Sequence, residues 1–297
     1  MLQTSTKTLD PTQTPSLAPL VPYLSCVHCG EAKIQISKGL INCESCGKGF
    51  ALRENRFPDF LTDQDRDQLK KELAFWEDHF ANTVYQDESE ASYQRWSTLM
   101  QVKEKDAVLE IGCGSGALLT RLAAKVRIGL EPAACLLTAT SGFYGVIGSA
   151  ETMPFANESF DMAFFKHSLH HVQDKAKAFS EAARVLKKGG RLIIMEPNAE
   201  HPQRRLISNP NSVFRRLSPV VKLIGPVETF QSVDELVELG HENHLKVDKI
   251  LYTESHYDRV TVRQRLQKMY SRGLRSVVPQ RYLMPNYYVQ FRKPLDV

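Results

Sequence analysis

The sequence predicts an α/β protein, a mostly parallel sheet with helices on both faces, preceded by a small metal-stabilised ribbon. Three observations predict it. The apolar run Ala107–Ile111 passes through glycines at 112, 114 and 116 into a helix-forming stretch, Ala117–Lys125. That is how a parallel strand–turn–helix unit begins. A second apolar run, Arg127–Leu130, ends at Glu131, 21 residues after Glu110. Near the N-terminus, two Cys-x-x-Cys pairs stand 13 residues apart.

The chain of 297 residues is long enough for one large domain and one small one. It has no apolar run of roughly 18 residues, so a membrane-spanning helix is not expected. Residues 1–22 are rich in Thr, Pro and Ser. They lack the basic start and apolar stretch of a secretory signal and the arginines of a transit peptide. A disordered tail is expected there. The net charge of +4 hides an asymmetry, because from His201 onward 16 Lys/Arg stand against 9 Asp/Glu. A solvated surface accounts for this spread-out charge; attraction of an anionic partner such as RNA is the alternative.

The cysteine pairs are Cys26/Cys29 and Cys43/Cys46. Two residues between cysteines let both thiolates reach one ion, and two such knuckles complete a tetrahedron. Gly30 and Gly47 follow the second cysteine of each, where the turn demands unusual backbone angles. Four thiolates leave no open position, so structural Zn²⁺ is expected, with His28 outside the ligand set. Paired thiols without a secretion signal favour metal over disulfides and point to the cytoplasm. The ribbon is expected to span residues 23–62, with short strands at Lys33–Ser37 and Leu40–Asn42. Residues 63–104 read as a helical cap or linker; its aromatics, among them Phe75, Trp76, Tyr93 and Trp96, are explained most cheaply by core packing, with capping of the active site as the alternative.

The glycine turn and Glu131 suit an adenosine-type ligand, since a carboxylate after the second strand can accept both ribose hydroxyls. Glu110, two residues before the first glycine, faces that ligand and would repel a pyrophosphate. Farther along come GSAETMPFANESFDMAFFKHSLHHV and VLKKGGRLIIMEPN. Together with VLEIGCGSG, they resemble the small class I, S-adenosylmethionine-dependent methyltransferases over Asp106–Asn198. The segment ending CESCGKGFALRENRFPDFL resembles the Trm112-like ribbons found before some methyltransferase domains. The first resemblance implies a Rossmann-like sheet of seven strands for residues 105–297, its last strand antiparallel. Strands are expected at Asp161–Phe165, Arg191–Met195, Lys246–Leu251 and Tyr287–Lys293. A helix is expected at Asp174–Leu186, with Lys187–Gly190 as its stop. Capping insertions at about 200–243 and 254–285 would select the substrate.

The resemblance also implies site roles. Gly112, Cys113, Gly114 and Gly116 would line the methionine part of S-adenosylmethionine, with Glu110 near its amino group. Glu131 and Pro132 would hold the ribose. Ser149, Ala150 and Glu151 would border adenine, although Ser149 replaces the usual Asp. Lys166 and His167 would lie beside the methyl group or the cofactor's backbone. His167, His170 and His171 are the candidate bases, against the plainer reading of helix-start histidines with satisfied rings. A small-molecule methyl acceptor, phenolic, quinone-like or a natural product, is the leading expectation. RNA methylation through the ribbon and the basic C-terminal part is the second, and a non-catalytic cofactor-binding partner the third.

Overall fold

The computed structural model describes residues 16–37, 39–82, 90–137, 142–202, 204–205, 229–254 and 278–296. Its centre is β5 (Ala107–Ile111), apolar except for Glu110 and buried along its whole length. Val108 packs into one face and Leu109 into the other, as a strand covered on both sides requires. Beside it run β6 (Val126–Glu131), β7 (Tyr144–Ile147), β8 (Phe160–Lys166) and β9 (Leu186–Pro197), all parallel. β11 (Asn286–Arg292) pairs antiparallel with both β9 and β10 (Lys246–Thr253). The seven strands therefore lie in the order β7-β6-β5-β8-β9-β11-β10, and the predicted mostly parallel sheet with one reversed strand is present.

Helices cover both faces. α5 (Lys175–Val185), capped by the Asp174 side chain, turns Ala178, Phe179, Ala182 and Val185 onto one face. α6 (Val233–Glu242), with a Ser232–Glu235 capping box, lies on the same side and packs against α5, β10 and β11. It falls within the range assigned to the first insertion, but belongs to the helix layer. On the other face α3 (Glu90–Met100) buries Tyr93, Trp96 and Met100, and the Trp96 ring stacks 6.4 Å from Tyr288. Residues 206–228 and 255–277 of the expected insertions lie outside the described residues.

Three expectations change. Ala117–Lys125 forms only a 3₁₀ turn, Leu119–Arg121. The chain must rejoin the sheet, where the Lys125 and Val126 N–H groups donate to Asp106 O, and Arg127 takes the carbonyls of Thr120 and Leu122. Lys187–Gly190 is no helix stop, because β9 begins at Leu186 and absorbs it, with Gly189 at φ +77°. The disordered tail expected over residues 1–22 does not hold for its described part, residues 16–22: Leu20 and Leu24 are fully buried and the Ser25 N–H donates to Pro154 O, while residues 1–15 lie outside the described residues. The leucines, easily passed over in a Thr/Pro-rich stretch, supply the apolar surface that anchors it.

The ribbon does not stand apart. β1 (Ile34–Ser37), β2 (Leu40–Cys43), β3 (Gly49–Arg53) and β4 (Phe57–Asp59) form an antiparallel meander. β4 then pairs in parallel with β7, Asp59 opposite Ile147, making one sheet of eleven strands among the described residues. The Phe60 N–H donates to Ile147 O at 2.9 Å. From there the chain enters α1 (Asp63–Gln68), started by a Thr62–Asp65 capping box, and α2 (Lys70–Asn82).

Candidate active site and metal centre

A cavity of about 260 Å³ opens at the carboxyl ends of β5, β6 and β8, where ligands of such sheets bind. Its floor is the turn after β5. Gly112, Gly114 and Gly116 adopt φ of +68°, +51° and +66°, angles that cost an L side chain roughly 1–2 kcal/mol. Space is equally restrictive: a Cβ on Gly112 would fall 2.5 Å from Ser168 Cβ, and one on Gly116 2.3 Å from the Phe143 ring.

Glu131 braces this turn. Its carboxylate accepts the Gly114 N–H at 2.8 Å and the Ala133 N–H at 3.0 Å. Burial pushes its pKa up to about 7; those two hydrogen bonds and the charge of His171 oppose the rise, and Glu72 adds to it. Glu110 is 3% exposed on the same wall. Burial, with the charges of Glu131 and Glu110, drives the Cys113 thiol well up; this thiol is no nucleophile.

Of the residues expected to hold a cofactor, Glu110, Gly112, Cys113, Gly114, Glu131, Pro132, Ser149, Ala150, Glu151 and Lys166 all line the cavity. Gly116 stands behind it, its N–H bonded to Cys113 O. Ser149 Oγ accepts the Glu151 N–H at 3.1 Å, and Glu151 in turn accepts the Asp174 N–H. Lys166 Nζ lies 5.7 Å over the Tyr93 ring.

The three histidines separate. His167 and His171 line the cavity; His167 has φ +53° and bonds Met195 O through its N–H. His170 does not line it. Its Nδ1 lies 2.5 Å from Glu196 Oε2, while Glu196 Oε1 accepts the Ser168 and Leu169 N–H groups. Burial alone would raise the Glu196 carboxyl, but the charges and hydrogen bonds around it, His170 first, hold it below the usual range. His170 and Glu196 therefore set the shape of the loop that presents His171.

The cavity's other wall comes from the segment read as a helical cap or linker, including aromatics assigned first to core packing and two residues, Leu69 and Glu72, given no role. Leu69, Glu72 and Trp76 of the α1–α2 segment and Tyr93 of α3 line it. Glu72 is 5% exposed. Trp76 Nε1 donates to Glu72 Oε1 at 3.1 Å, and His171 Nδ1 lies 3.0 Å from that oxygen. The available signal was Glu72 standing four residues before Trp76, one turn along a helix.

At the far end of the ribbon, the Sγ atoms of Cys26, Cys29, Cys43 and Cys46 all lie within 4.8 Å of one another. Cys26–Cys46 and Cys29–Cys43 are 3.7 and 3.6 Å apart, and no disulfide joins them. Zinc–sulfur bonds of about 2.3 Å place tetrahedral ligands about 3.8 Å apart. The four thiols fit that ion. Gly30 and Gly47 close the knuckles at φ +75° and +72°, donating to Cys26 O and Cys43 O.

Comparison with known proteins agrees with this geometry. Residues 109–194 match the model of a family described as a methyltransferase domain. A ubiquinone/menaquinone biosynthesis C-methyltransferase from Xanthomonas oryzae pv. oryzae is 36% identical over 116 residues, covering 33% of this chain and 45% of that protein. The first curated relatives are matched over only 28–58% of their own length. A chain from the complex between the Haloferax volcanii Trm112 methyltransferase activator and a candidate methyltransferase has a TM-score of 0.52 at 16% identity, covering 75% of this chain and 98% of that one. Phosphoethanolamine N-methyltransferase 2 of Haemonchus contortus, solved with S-adenosyl-L-methionine, has a TM-score of 0.52 at 16% identity, covering 80% and 61%. Among the described residues no helix is long and apolar enough to cross a membrane. The sheet order, the glycine turn with its buried carboxylates and the matched segment agree: residues 109–194 of this chain match the methyltransferase-domain family, set in a fold shared with solved methyltransferases.

Proposed function

We propose that the protein transfers the methyl group of S-adenosylmethionine to a small aromatic acceptor bearing a hydroxyl. The observation that carries the cofactor half is charge: Glu72, Glu110 and Glu131, all buried, line one cavity. A ligand with a sulfonium and an ammonium complements such a wall, whereas a dinucleotide's pyrophosphate is repelled by it. Gly112, Cys113 and Gly114 would hold the methionine part with Glu110 at its ammonium. Glu131 and Pro132 would take the ribose, and Ser149, Ala150 and Glu151 the adenine. When bound, the cofactor supplies an electrophilic methyl group, whose old C–S electrons stay on sulfur.

The chain's own contribution is alignment and exclusion of water. Lys166 and His167, at the end of β8, would face the acceptor. His167 or His171 would take the acceptor's proton, while His170 acts through Glu196 as a positioning residue. Leu69, Trp76, Tyr93 and Phe165 give the cavity an apolar, largely aromatic wall, which suits an aromatic, quinone-like acceptor; the Xanthomonas relative is named for ubiquinone/menaquinone biosynthesis. Cys26, Cys29, Cys43 and Cys46 would hold structural zinc. The Haloferax neighbour was solved with a separate activator; here the ribbon extends the catalytic sheet itself, which supports a built-in brace over an RNA-docking module.

Calorimetric titration of zinc-replete protein with S-adenosylmethionine and with NADH, alongside Glu131→Ala, tests the cofactor. Micromolar binding of the first, lost in the variant, is expected; binding of NADH alone overturns the reading. Transfer of labelled methyl to hydroquinones, set against transfer to RNA, then tests the acceptor class.

A further inference from the structure

We infer that Glu72, from the helical segment that follows the ribbon, is a second carboxylate for the nucleoside half of the ligand, acting opposite Glu131. The inference rests on the cofactor reading above. Glu72 lies on the cavity wall and is 5% exposed. One oxygen is fixed, taking the Trp76 indole N–H at 3.1 Å with His171 Nδ1 at 3.0 Å. The other, Oε2, is buried and has no hydrogen-bond partner among the described residues. A buried carboxylate oxygen without a donor costs stability, so an unpaired oxygen on a residue that lines the cavity marks where a ligand's donor belongs.

Its neighbours say which donor. Glu131 carries the charges of both His171 and Glu72 as near neighbours. α2 packs on α4 (Ala134–Leu137), the helix that follows Glu131. Gln68 O, one turn before Glu72, accepts from Gln173, and the adjacent Asp174 N–H reaches Glu151 beside Ser149. Glu72 is thereby tied to the ribose and adenine end of the cavity. Both oxygens of Glu131 already hold backbone N–H groups, which leaves Glu72 Oε2 the less committed acceptor for a ribose hydroxyl. Trp76 and Leu69 flank it with apolar surface for the sugar and base.

The test is calorimetric titration of the full, zinc-loaded chain and its Glu72→Gln variant with two probes, S-adenosylmethionine and 5′-methylthioadenosine. The second probe has the nucleoside but no amino acid or sulfonium. Gln keeps the shape and an acceptor for Trp76, and thermal unfolding of the free proteins checks that the variant folds. Loss of one charge-assisted hydrogen bond predicts both probes weakened about tenfold or more. Weakening of S-adenosylmethionine alone places Glu72 at the methionine or acceptor end and overturns the inference. Equal binding by both proteins also overturns it. If the wild-type chain binds neither probe, the cofactor reading itself fails and takes this inference with it.

Discussion

Ligand affinity should depend on pH through one group, Glu131. In the free protein its carboxyl titrates near 7, against an ordinary 4.5; below pH 7 it is mostly neutral. A cationic ligand donating hydroxyl hydrogens to it requires the carboxylate. Binding returns the pKa toward its ordinary value and releases a proton. With values of about 7 free and about 4.5 bound, the association constant falls about 70-fold between pH 8 and pH 5, or about 2.5 kcal/mol. The sign follows from burial: the raised pKa favours the protonated form, so acid weakens binding and base restores it. The titratable neighbours are His171, Glu72, Glu110 and Cys113. Their contribution is read from Glu131→Gln, which retains them. Calorimetry of S-adenosylmethionine from pH 5 to 8, in two buffers of different ionisation enthalpy, gives both the affinity and the proton count. A change under about threefold, or a slope as steep in the variant, refutes this account of the site.

The free protein should follow the same group in the opposite sense. The folded carboxyl holds its proton more tightly than the unfolded one, so its contribution is most favourable below about pH 4.5. Relative to Glu131→Gln, about 3 kcal/mol should be lost as pH rises through 7, measured by denaturant titration. Chelating zinc, or replacing Cys43 with Ser, should abolish one equivalent of bound metal by a colorimetric assay and speed amide exchange in β4 and β7. Gly112→Ala must meet a positive φ and displace Ser168, whose hydroxyl donates to Ile111 O at 2.6 Å. That should cost about 2–3 kcal/mol and lower the melting temperature by about 5–10 °C. Glu196→Ala leaves two N–H groups and His170 without their acceptor, and should cost about 3–5 kcal/mol by chemical denaturation.

The parts legible in the sequence were those whose chemistry is local. The turn at 112–116 needs glycines because its backbone angles and its close approach to Ser168 and Phe143 permit little else. The two knuckles announce themselves because ligand spacing is a short-range constraint. Where tertiary demands overrode local preference, the reading failed. Ala117–Lys125 is rich in helix formers, but a sheet return at Lys125 cut the helix to one turn. Gly189 and Gly190 read as a stop, yet they sit inside β9, where a Cβ on Gly190 would fall 2.7 Å from Lys187 O and 3.2 Å from Phe160 O. β4 and β7 went unrecognised as partners because nothing in three residues, Phe57–Asp59, foretells a parallel neighbour almost ninety positions away. Glu72 was invisible for the same reason. On a helix whose aromatics read as core packing, its role depends on a cavity assembled from β5, β6 and β8.

The pairing of β4 with β7 has a consequence for survival in a stressed cell. Tyr144–Ile147 is short, uncharged and bounded on its outer side only by the ribbon. With the thiols oxidised and β4 released, that strand becomes a bare edge beside the exposed rings of Phe57 and Phe60, the kind of surface that templates aggregation. Intact thiols would therefore keep the main sheet's edge covered, and their oxidation should be seen first as precipitation of the chain.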